Sequence, residues 1–216
     1  RGVKIASFVN VPYSTVERMS NLSMNICAGQ EICVAATKTL TNQIISLLYL
    51  ASLFDYGYEI EKIPSEIKKF LNKNNVEKIA KSLKNEKDIY IIGRGFAYPV
   101  AREIALKLKE IAYIHAEGMM GGELKHGTLA LIEKETPVIA VMPENDGDII
   151  SNVKEVEARG AKVIKIGNGD IKISNNEAIF SILSIITGQL LAYYIAKEKN
   201  LPIDKPRNLA KAVTVK

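Results

Sequence analysis

The sequence predicts an α/β protein in which helices cover parallel β-sheets. Short apolar runs rich in Val and Ile alternate with longer helical patterns, as expected for parallel strands that are buried on both faces. The clearest unit, at 88–159, reads strand DIYIIG, glycine turn, helix, strand PVIAVMP and helix. With 216 residues, of which 47% are apolar and 25% charged, the chain is long enough for one large domain or two small ones.

A second observation is an internal repeat. The segment RGVKIASFVN at 1–10 matches RGAKVIKIGN at 159–168 in its Arg-Gly, Lys and Asn positions. Each copy continues with a loop, a second short apolar run and a long helix, expected at 34–53 and 177–199, which indicates a duplicated unit. Because the first copy lacks a preceding strand–helix unit, we expect an incomplete first domain whose exposed edge is covered by a partner chain or a further segment.

The repeat divides the chain into three parts. Residues 1–60 are expected to form the C-terminal half of a first domain, 61–200 a second domain, and 201–216 a tail. A linker is expected at 55–65, where tyrosines and charges replace the apolar run. Pro64 should then lie in the first turn of the next helix, where its missing N–H costs nothing.

Composition limits the partners and the compartment. The net charge of +5 is not gathered into an arginine-rich stripe with aromatic residues, so nucleic acid is disfavoured, whereas a small phosphorylated substrate fits. Cys27 and Cys33 are too few for a disulfide framework and no targeting segment is visible, which favours the cytosol. The uncharged run at 178–196 approaches the length of a membrane span, but its polar residues predict a buried helix instead.

Two patterns in the second domain suggest a site. Gly93 and Gly95 form a turn after a strand, and Pro99 suits the first turn of the following helix, an arrangement that can present backbone N–H groups to an anion. So short a turn also occurs without any ligand. On the helix expected at 99–111, three charged residues recur at i, i+4 and i+7 and fall on one stripe. An exposed ion-pair ladder has the same spacing. These three are Glu103, Lys107 and Glu110.

Both histidines of the chain fall in one glycine-rich segment, expected to be flexible, from His115 to His126. Carboxylate, ammonium and imidazole together make a proton-transfer set, and His126 is the stronger candidate for it. His115 follows an apolar run and fits a structural role. Both histidines with Glu117 and Glu123 could in principle bind zinc, but the HExxH spacing and a cysteine pair are missing, so no metal is predicted.

The tail LPIDKPRNLAKAVTVK is the third candidate element. Pro202 and Pro206 exclude a regular helix, so the tail should run as an extended segment carrying Arg207 and Lys211. A lysine beside an apolar pocket can attack a carbonyl as an amine. A solvated tail lysine is the commoner situation, and the spacing alone does not distinguish the two.

Four segments carry a resemblance to a known family. They are GRGFAYPVAREIALKLKEIAYIHAEGMMGGELKHGTLALI, DKPRNLAKAVTV, EICVAATKTLTNQ and VNVPYSTVER. Together they resemble the isomerase part of the glucosamine-6-phosphate synthases, also called glutamine–fructose-6-phosphate aminotransferases, over nearly the whole chain. The resemblance implies two sugar-isomerase (SIS) domains, each a flavodoxin-like parallel sheet flanked by helices, with the first domain incomplete.

The resemblance also implies roles for residues of the second domain. Glu110 matches the general base that moves a proton between C1 and C2 of the sugar imine. Lys107 and Glu103 match its partners on the same helix face. His126 matches the histidine that assists ring opening and is typically donated across a dimer interface.

Further roles are implied for the tail and for the segment at 34–35. Lys211 matches the lysine that forms a Schiff base with the open-chain sugar. Val34 and Ala35 match backbone that contacts the sugar, and Gly93 and Gly95 remain candidates for substrate binding.

The activity implied is conversion of fructose 6-phosphate, with ammonia from glutamine, to glucosamine 6-phosphate by a homodimer without metal or organic cofactor. The family's glutaminase domain and its phosphate-binding loop do not occur in this sequence, so the chain by itself is expected to be inactive. Two alternatives stay open. One is an SIS deaminase that releases ammonia from glucosamine 6-phosphate, and the other is a non-catalytic module that binds a sugar phosphate without turnover.

Overall fold

Two parallel sheets organise the protein. The computed structural model describes residues 2–54, 56–144, 146–174 and 176–212. Within these ranges one sheet has two strands and the other has five, and every strand pairing in both is parallel. The predicted α/β class with parallel sheets flanked by helices is therefore confirmed.

The small sheet belongs to the first copy of the repeat. It pairs β1 (Ala6–Val9) with β2 (Leu22–Asn25), and the one-turn helix α1 (Thr15–Arg18) lies between them. Helix α2 (Lys38–Ser52) follows and begins four residues later than the predicted 34. The helix begins later because of the Glu31 side chain. Its carboxylate accepts hydrogen bonds from the backbone N–H groups of residues 37 and 38 and fixes the start of the helix there.

The large sheet belongs to the second copy. Its strands are β3 (Asp88–Gly93), β4 (His115–Met120), β5 (Pro137–Met142), β6 (Lys162–Gly167) and β7 (Ile171–Lys172). Their order in the sheet is β4-β3-β5-β6-β7.

Strand β4 corrects the expectation of a flexible segment between the two histidines. Residues 115–120 pair with β3 along its whole length and form an edge of the sheet. The glycine that suggested flexibility has a packing reason, since a Cβ at Gly118 would lie 2.6 Å from the carbonyl oxygen of Ala101. A helix therefore approaches the strand too closely for any other residue.

Helices cover both faces of the large sheet. They are α3 (Ile63–Asn72), α4 (Val76–Leu83), α5 (Ala97–Lys107), α6 (Gly147–Glu157) and α7 (Glu177–Glu198). Alternate strand residues point to opposite faces. Ile89 and Ile91 pack in the cluster that contains α3, α4, α5 and α7, whereas Tyr90 and Ile92 pack with α6.

Helix α7 is the central core helix. Its length and composition would allow it to cross a membrane, but 72% of its most apolar 18-residue window is buried inside the protein. Ser184 and Thr187 are fully buried, and the Thr187 hydroxyl donates to the Leu183 carbonyl at 2.8 Å. The prediction of a buried helix is confirmed. Thr187 tolerates burial because the helix backbone accepts its hydrogen bond, whereas the buried Ser184 hydroxyl has no hydrogen-bond partner among the described residues.

The repeat is visible in the fold. β1–β2 and β6–β7 are each a parallel pair followed by a long helix, α2 in one copy and α7 in the other. Pro64 lies in the first turn of α3, as predicted, and the described part of the tail contains no helix or strand. The domain boundaries at 60 and 200 stay predictions.

The contact between α5 and α7 yields a stability prediction. A Cβ at Gly188 would lie 2.5 Å from Cγ1 of Ile104 and 3.2 Å from its Cα. We expect Gly188→Val to lower the free energy of unfolding by about 2 kcal/mol or more, because an overpacked core must shift, measured by urea denaturation. Gly147→Ala is the control in α6, since its Cβ would meet nothing within 4 Å. If the two variants had the same free energy of unfolding, the close contact between Gly188 and Ile104 would be contradicted.

Candidate active site

The candidate site begins where α5 ends. Residues Leu108–Ala112 form a turn of π-helix, and Tyr113 follows in the left-handed conformation with φ 55°. Single π-turns inside α-helices are rare and frequent at functional sites. The predicted helix at 99–111 thus starts two residues earlier and changes its geometry in its last turn.

Lys107 is buried between two glutamates. Its Nζ lies 2.5 Å from Oε2 of Glu110 and 3.3 Å from Oε1 of Glu103. Lys107 is only 2% exposed, so the alternative of an exposed ion-pair ladder is excluded. A buried ammonium requires such pairing, because desolvation without a partner costs several kcal/mol. The predicted stripe is confirmed as a compact cluster, while the catalytic roles of its members stay predictions.

The two carboxyl groups of this cluster are not equivalent. Burial raises the pKa of Glu103 above its usual value, although the neighbouring Lys107 ammonium opposes that shift. Glu110 instead lines a cavity of about 510 Å³ together with residues of the tail. A carboxyl group with a raised pKa beside a second carboxylate is a suitable arrangement for acid–base chemistry.

The tail is fastened to the end of α5. The backbone N–H of Arg207 donates to the Tyr113 hydroxyl at 2.7 Å, and the Arg207 guanidinium carbon lies 4.4 Å from the centre of the Tyr113 ring. Lys199 donates to the Ala112 carbonyl at 2.8 Å, which satisfies an acceptor at the end of the π-turn. The wall of the 510 Å³ cavity includes Glu110, Tyr113, Arg207, Asn208 and Leu209.

Lys211 lies against the segment that precedes α2. Its Nζ donates to the carbonyls of Cys33 at 3.0 Å and Val34 at 3.3 Å, and lies 3.7 Å from the Glu31 carboxylate. The Val34 N–H donates to the carbonyl of residue 204 at 3.0 Å, and Ala35 is completely buried beside it. Lys211 is therefore hydrogen-bonded to the segment that is predicted to contact the sugar. In the chain, Lys211 comes two residues after Leu209, which lines the same cavity as Glu110.

Glu31 is a residue of this region that sequence reasoning missed. Its carboxylate accepts hydrogen bonds from the N–H and hydroxyl of Thr37, the N–H of Lys38 and the hydroxyl of Thr39. Burial raises the pKa of Glu31, but these hydrogen bonds outweigh burial and lower the pKa to about 2. The Thr-Lys-Thr run ahead of an apolar helix was the available signal, since such residues donate to a capping carboxylate.

His126 is not brought to this cluster within one chain. It lies on a 3₁₀ turn at 121–126, exposed, with Nδ1 2.9 Å from Oε2 of Glu123. That turn follows β4, whereas Glu110 precedes it. A strand of six residues is roughly 20 Å long, so the two side chains lie near opposite ends of β4.

The glycine turn also lies away from Glu110. A Cβ at Gly93 would be 2.4 Å from the Ala97 carbonyl oxygen, and Gly95 has φ 49°, so the predicted tight turn is present. It stands at the start of α5, and Glu110 follows the end of the same helix. Substrate binding by Gly93 and Gly95 stays a prediction.

The metal alternative receives no support from side-chain placement. Among residues 2–54, 56–144, 146–174 and 176–212, no group of three or more His, Cys, Asp or Glu side chains could hold a metal ion. His115 lies at the start of β4 with Nδ1 2.7 Å from Oδ1 of Asp88 on the adjacent strand. The side chain of His115 is 71% exposed and lines the 510 Å³ cavity with Glu110, so its structural role stays a prediction.

The parallel sheet with flanking helices is that of a sugar-isomerase domain. The SIS domain family matches residues 82–196, and the chain belongs to this family. Over 236 aligned residues it is 42% identical to the glutamine–fructose-6-phosphate aminotransferase (isomerizing) of Wigglesworthia glossinidia brevipalpis, with 97% of this chain and 39% of the relative covered. The Lactiplantibacillus plantarum relative is 43% identical, with 97% and 38% covered. The chain thus spans about two fifths of the length of these relatives.

Two solved structures are similar over most of the chain. The C-terminal domain of glucosamine-fructose-6-phosphate aminotransferase from Francisella tularensis has a TM-score of 0.84 and 32% identity, covering 94% of this chain and 66% of that one. A glucosamine-6-phosphate deaminase from Thermotoga maritima has a TM-score of 0.81 and 25% identity, covering 96% and 66%. Both similarities therefore extend well beyond residues 82–196.

The capping role of Glu31 predicts a pH-dependent stability. A carboxyl whose pKa falls from an ordinary value of 4.5 to about 2 on folding stabilises the fold above pH 4.5, and loses that contribution as the pH falls through 2. We expect Glu31→Gln to lower the free energy of unfolding by about 2 kcal/mol at pH 7, with a difference that shrinks between pH 5 and about 2.

Urea denaturation at several pH values measures this difference. Glu133→Gln, at an exposed position, is the control. If Glu31→Gln destabilises the protein equally at every pH, the loss of stability comes from altered packing and not from loss of the carboxylate charge.

Proposed function

We propose that this chain is the sugar-isomerising part of a glutamine–fructose-6-phosphate aminotransferase, located in the cytoplasm. The observation that carries the proposal is the buried Lys107 between Glu103 and Glu110, beside a cavity whose other wall is the tail that leads to Lys211. The similarity to relatives of that name supports it. In this proposal the substrate is fructose 6-phosphate and the product is glucosamine 6-phosphate.

The first chemical role belongs to Lys211. As a free amine it attacks the C2 carbonyl of the open-chain sugar, and loss of water leaves a Schiff base. Ammonia, which hydrolysis of glutamine on a separate glutaminase part would supply, then replaces the lysine at C2 and leaves a sugar imine. The carbonyls of residues 33 and 34 orient the lysine for this attack, because they accept hydrogen bonds from its Nζ.

The second role is proton transfer by Glu110. It removes a proton from C1 of the imine to give an amino-enol, and a proton is then added at C2 while the C1 hydroxyl loses its own. The product is a 2-amino aldehyde. The Lys107 ammonium forms an ion pair with Glu110 at 2.5 Å and with Glu103 at 3.3 Å, so it orients the proposed base and its own charge is compensated.

The third role, in ring opening, requires a second copy of the chain. His126 is exposed and follows the end of β4, whereas Glu110 of its own chain precedes the start of that strand. An exposed histidine on a turn can reach the site of a neighbouring subunit in a symmetric dimer. We therefore propose a homodimer in which each subunit donates His126 to the other.

One alternative enzyme is supported by a specific observation. The similarity to a glucosamine-6-phosphate deaminase, with a TM-score of 0.81, fits a domain that runs related chemistry in the direction of ammonia release. The non-catalytic alternative is disfavoured because a binding module has no use for a buried acid–base cluster. Ammonia release from glucosamine 6-phosphate, measured beside its formation, distinguishes the two enzymes.

The chemical roles lead to a prediction for the intact protein with its glutaminase part. Lys211→Ala and Glu110→Gln should each lower kcat for glucosamine 6-phosphate formation by about 1,000-fold or more, because each removes a group that reacts with the sugar. Lys205→Ala and Glu133→Gln are matched controls at exposed positions and should be fully active. Normal turnover by either of the first two variants would remove the proposed function.

The proposed exchange of His126 predicts complementation between two inactive variants. Mixing Glu110→Gln with His126→Ala subunits should restore about a quarter of the wild-type activity, because about half of randomly formed dimers are mixed and each has one intact site. The measurement is activity after dissociation and reassociation of the mixture. Mass spectrometry should confirm that mixed dimers form. If they form and the activity does not recover, His126 acts in the site of its own chain or takes no part in the reaction.

A further inference from the structure

We infer that Tyr113 is a positioning residue that holds the tail at the end of α5 and thereby sets the distance between Glu110 and Lys211. The inference rests on the proposed function, because it concerns the placement of two groups whose roles are proposed above. Tyr113 is itself not one of these two groups. It follows Glu110 by three residues, and it binds Arg207, which precedes Lys211 by four.

The backbone of Tyr113 carries the first observation. Its φ of 55° lies in the left-handed region, which costs free energy for a residue with a Cβ and which glycine adopts freely. It directly follows the π-turn at 108–112, so two uncommon backbone features occur in succession next to Glu110. Unfavourable backbone conformations persist where surrounding contacts hold them, and they cluster at functional sites.

The side chain of Tyr113 carries the second observation. The hydroxyl accepts the backbone N–H of Arg207 at 2.7 Å, and the ring lies under the guanidinium at 4.4 Å. The left-handed turn is what aims the ring at the tail instead of continuing along the helix. Tyr113 and Arg207 also line the same 510 Å³ cavity as Glu110.

The course of the tail explains why such a contact is needed. Two prolines prevent a helix, and the described tail residues form neither helix nor strand. Side-chain and backbone contacts must therefore fix its path. Residues 203–204 and Lys211 are tied to the segment at 33–34, and Arg207 between them is tied to Tyr113. The contact with Tyr113 thus relates the tail to the end of α5.

The test compares Tyr113→Phe and Tyr113→Gly in the intact enzyme. Phenylalanine keeps the ring under Arg207 but loses the acceptor, and glycine removes the side chain while it accepts the left-handed turn without strain. We expect kcat to fall by about 10-fold for the first and about 100-fold for the second, with KM changed less than about threefold, because misplacement of reacting groups affects turnover more than binding. Tail amides at 203–212 should exchange hydrogen faster in both.

Tyr98→Phe is the matched control. Tyr98 lies on the same helix and its ring is also approached by an arginine, with the Arg102 guanidinium carbon 5.9 Å from the ring centre. This variant should keep wild-type kcat and wild-type exchange in the tail.

Three outcomes would overturn the inference. Wild-type kcat and tail exchange in Tyr113→Gly would show that the tail is placed without this contact. Loss of kcat with faster exchange throughout α5 and α7 would make Tyr113 a structural residue. A fall in kcat with unchanged tail exchange would separate its effect from the tail. Normal activity of Lys211→Ala or Glu110→Gln would instead remove the proposed function, so the two failures are distinguishable.

Discussion

The site depends on one ammonium group that has been taken out of water. Lys107 is almost completely buried, and such a charge is tolerated only where carboxylates lie close enough to compensate the lost hydration. Glu103, one turn earlier on α5, and Glu110, on the π-turn, provide them. The cluster is therefore assembled by folding itself, and one of its members, Glu110, lines the cavity.

Around that cluster the site is composite. Glu110 lies at the end of a helix that packs on the large sheet, and Lys211 lies against the segment that leads into α2. The tail connects them across α5. In the proposed function the chemistry arises from the juxtaposition of these parts. The aminotransferase domain and the deaminase to which the chain is similar share this architecture.

The sequence predicted those features that depend on local spacing. The stripe of Glu103, Lys107 and Glu110 follows from helical periodicity, and the course of α7 from a long uncharged run. Tertiary contacts decided the rest. Strand β4 exists because β3 offers it a partner, so its glycine reflected packing and not flexibility. Glu31 fixes the start of α2 through hydrogen bonds that a periodicity argument does not include, and the left-handed Tyr113 depends on a tail residue 94 positions away. His126 was a candidate by residue type, and its participation in the site of a second chain stays a proposal.

Helix α7 has a consequence for the order in which this protein can fold. It packs against α2, α3, α4 and α5, all of which leave the ribosome earlier. Their apolar faces stay open until this late helix emerges, since nearly every turn of it is needed to cover them. These faces can therefore be covered only after α7 has been synthesised, and a partly folded chain that lacks α7 exposes apolar surface, which favours aggregation.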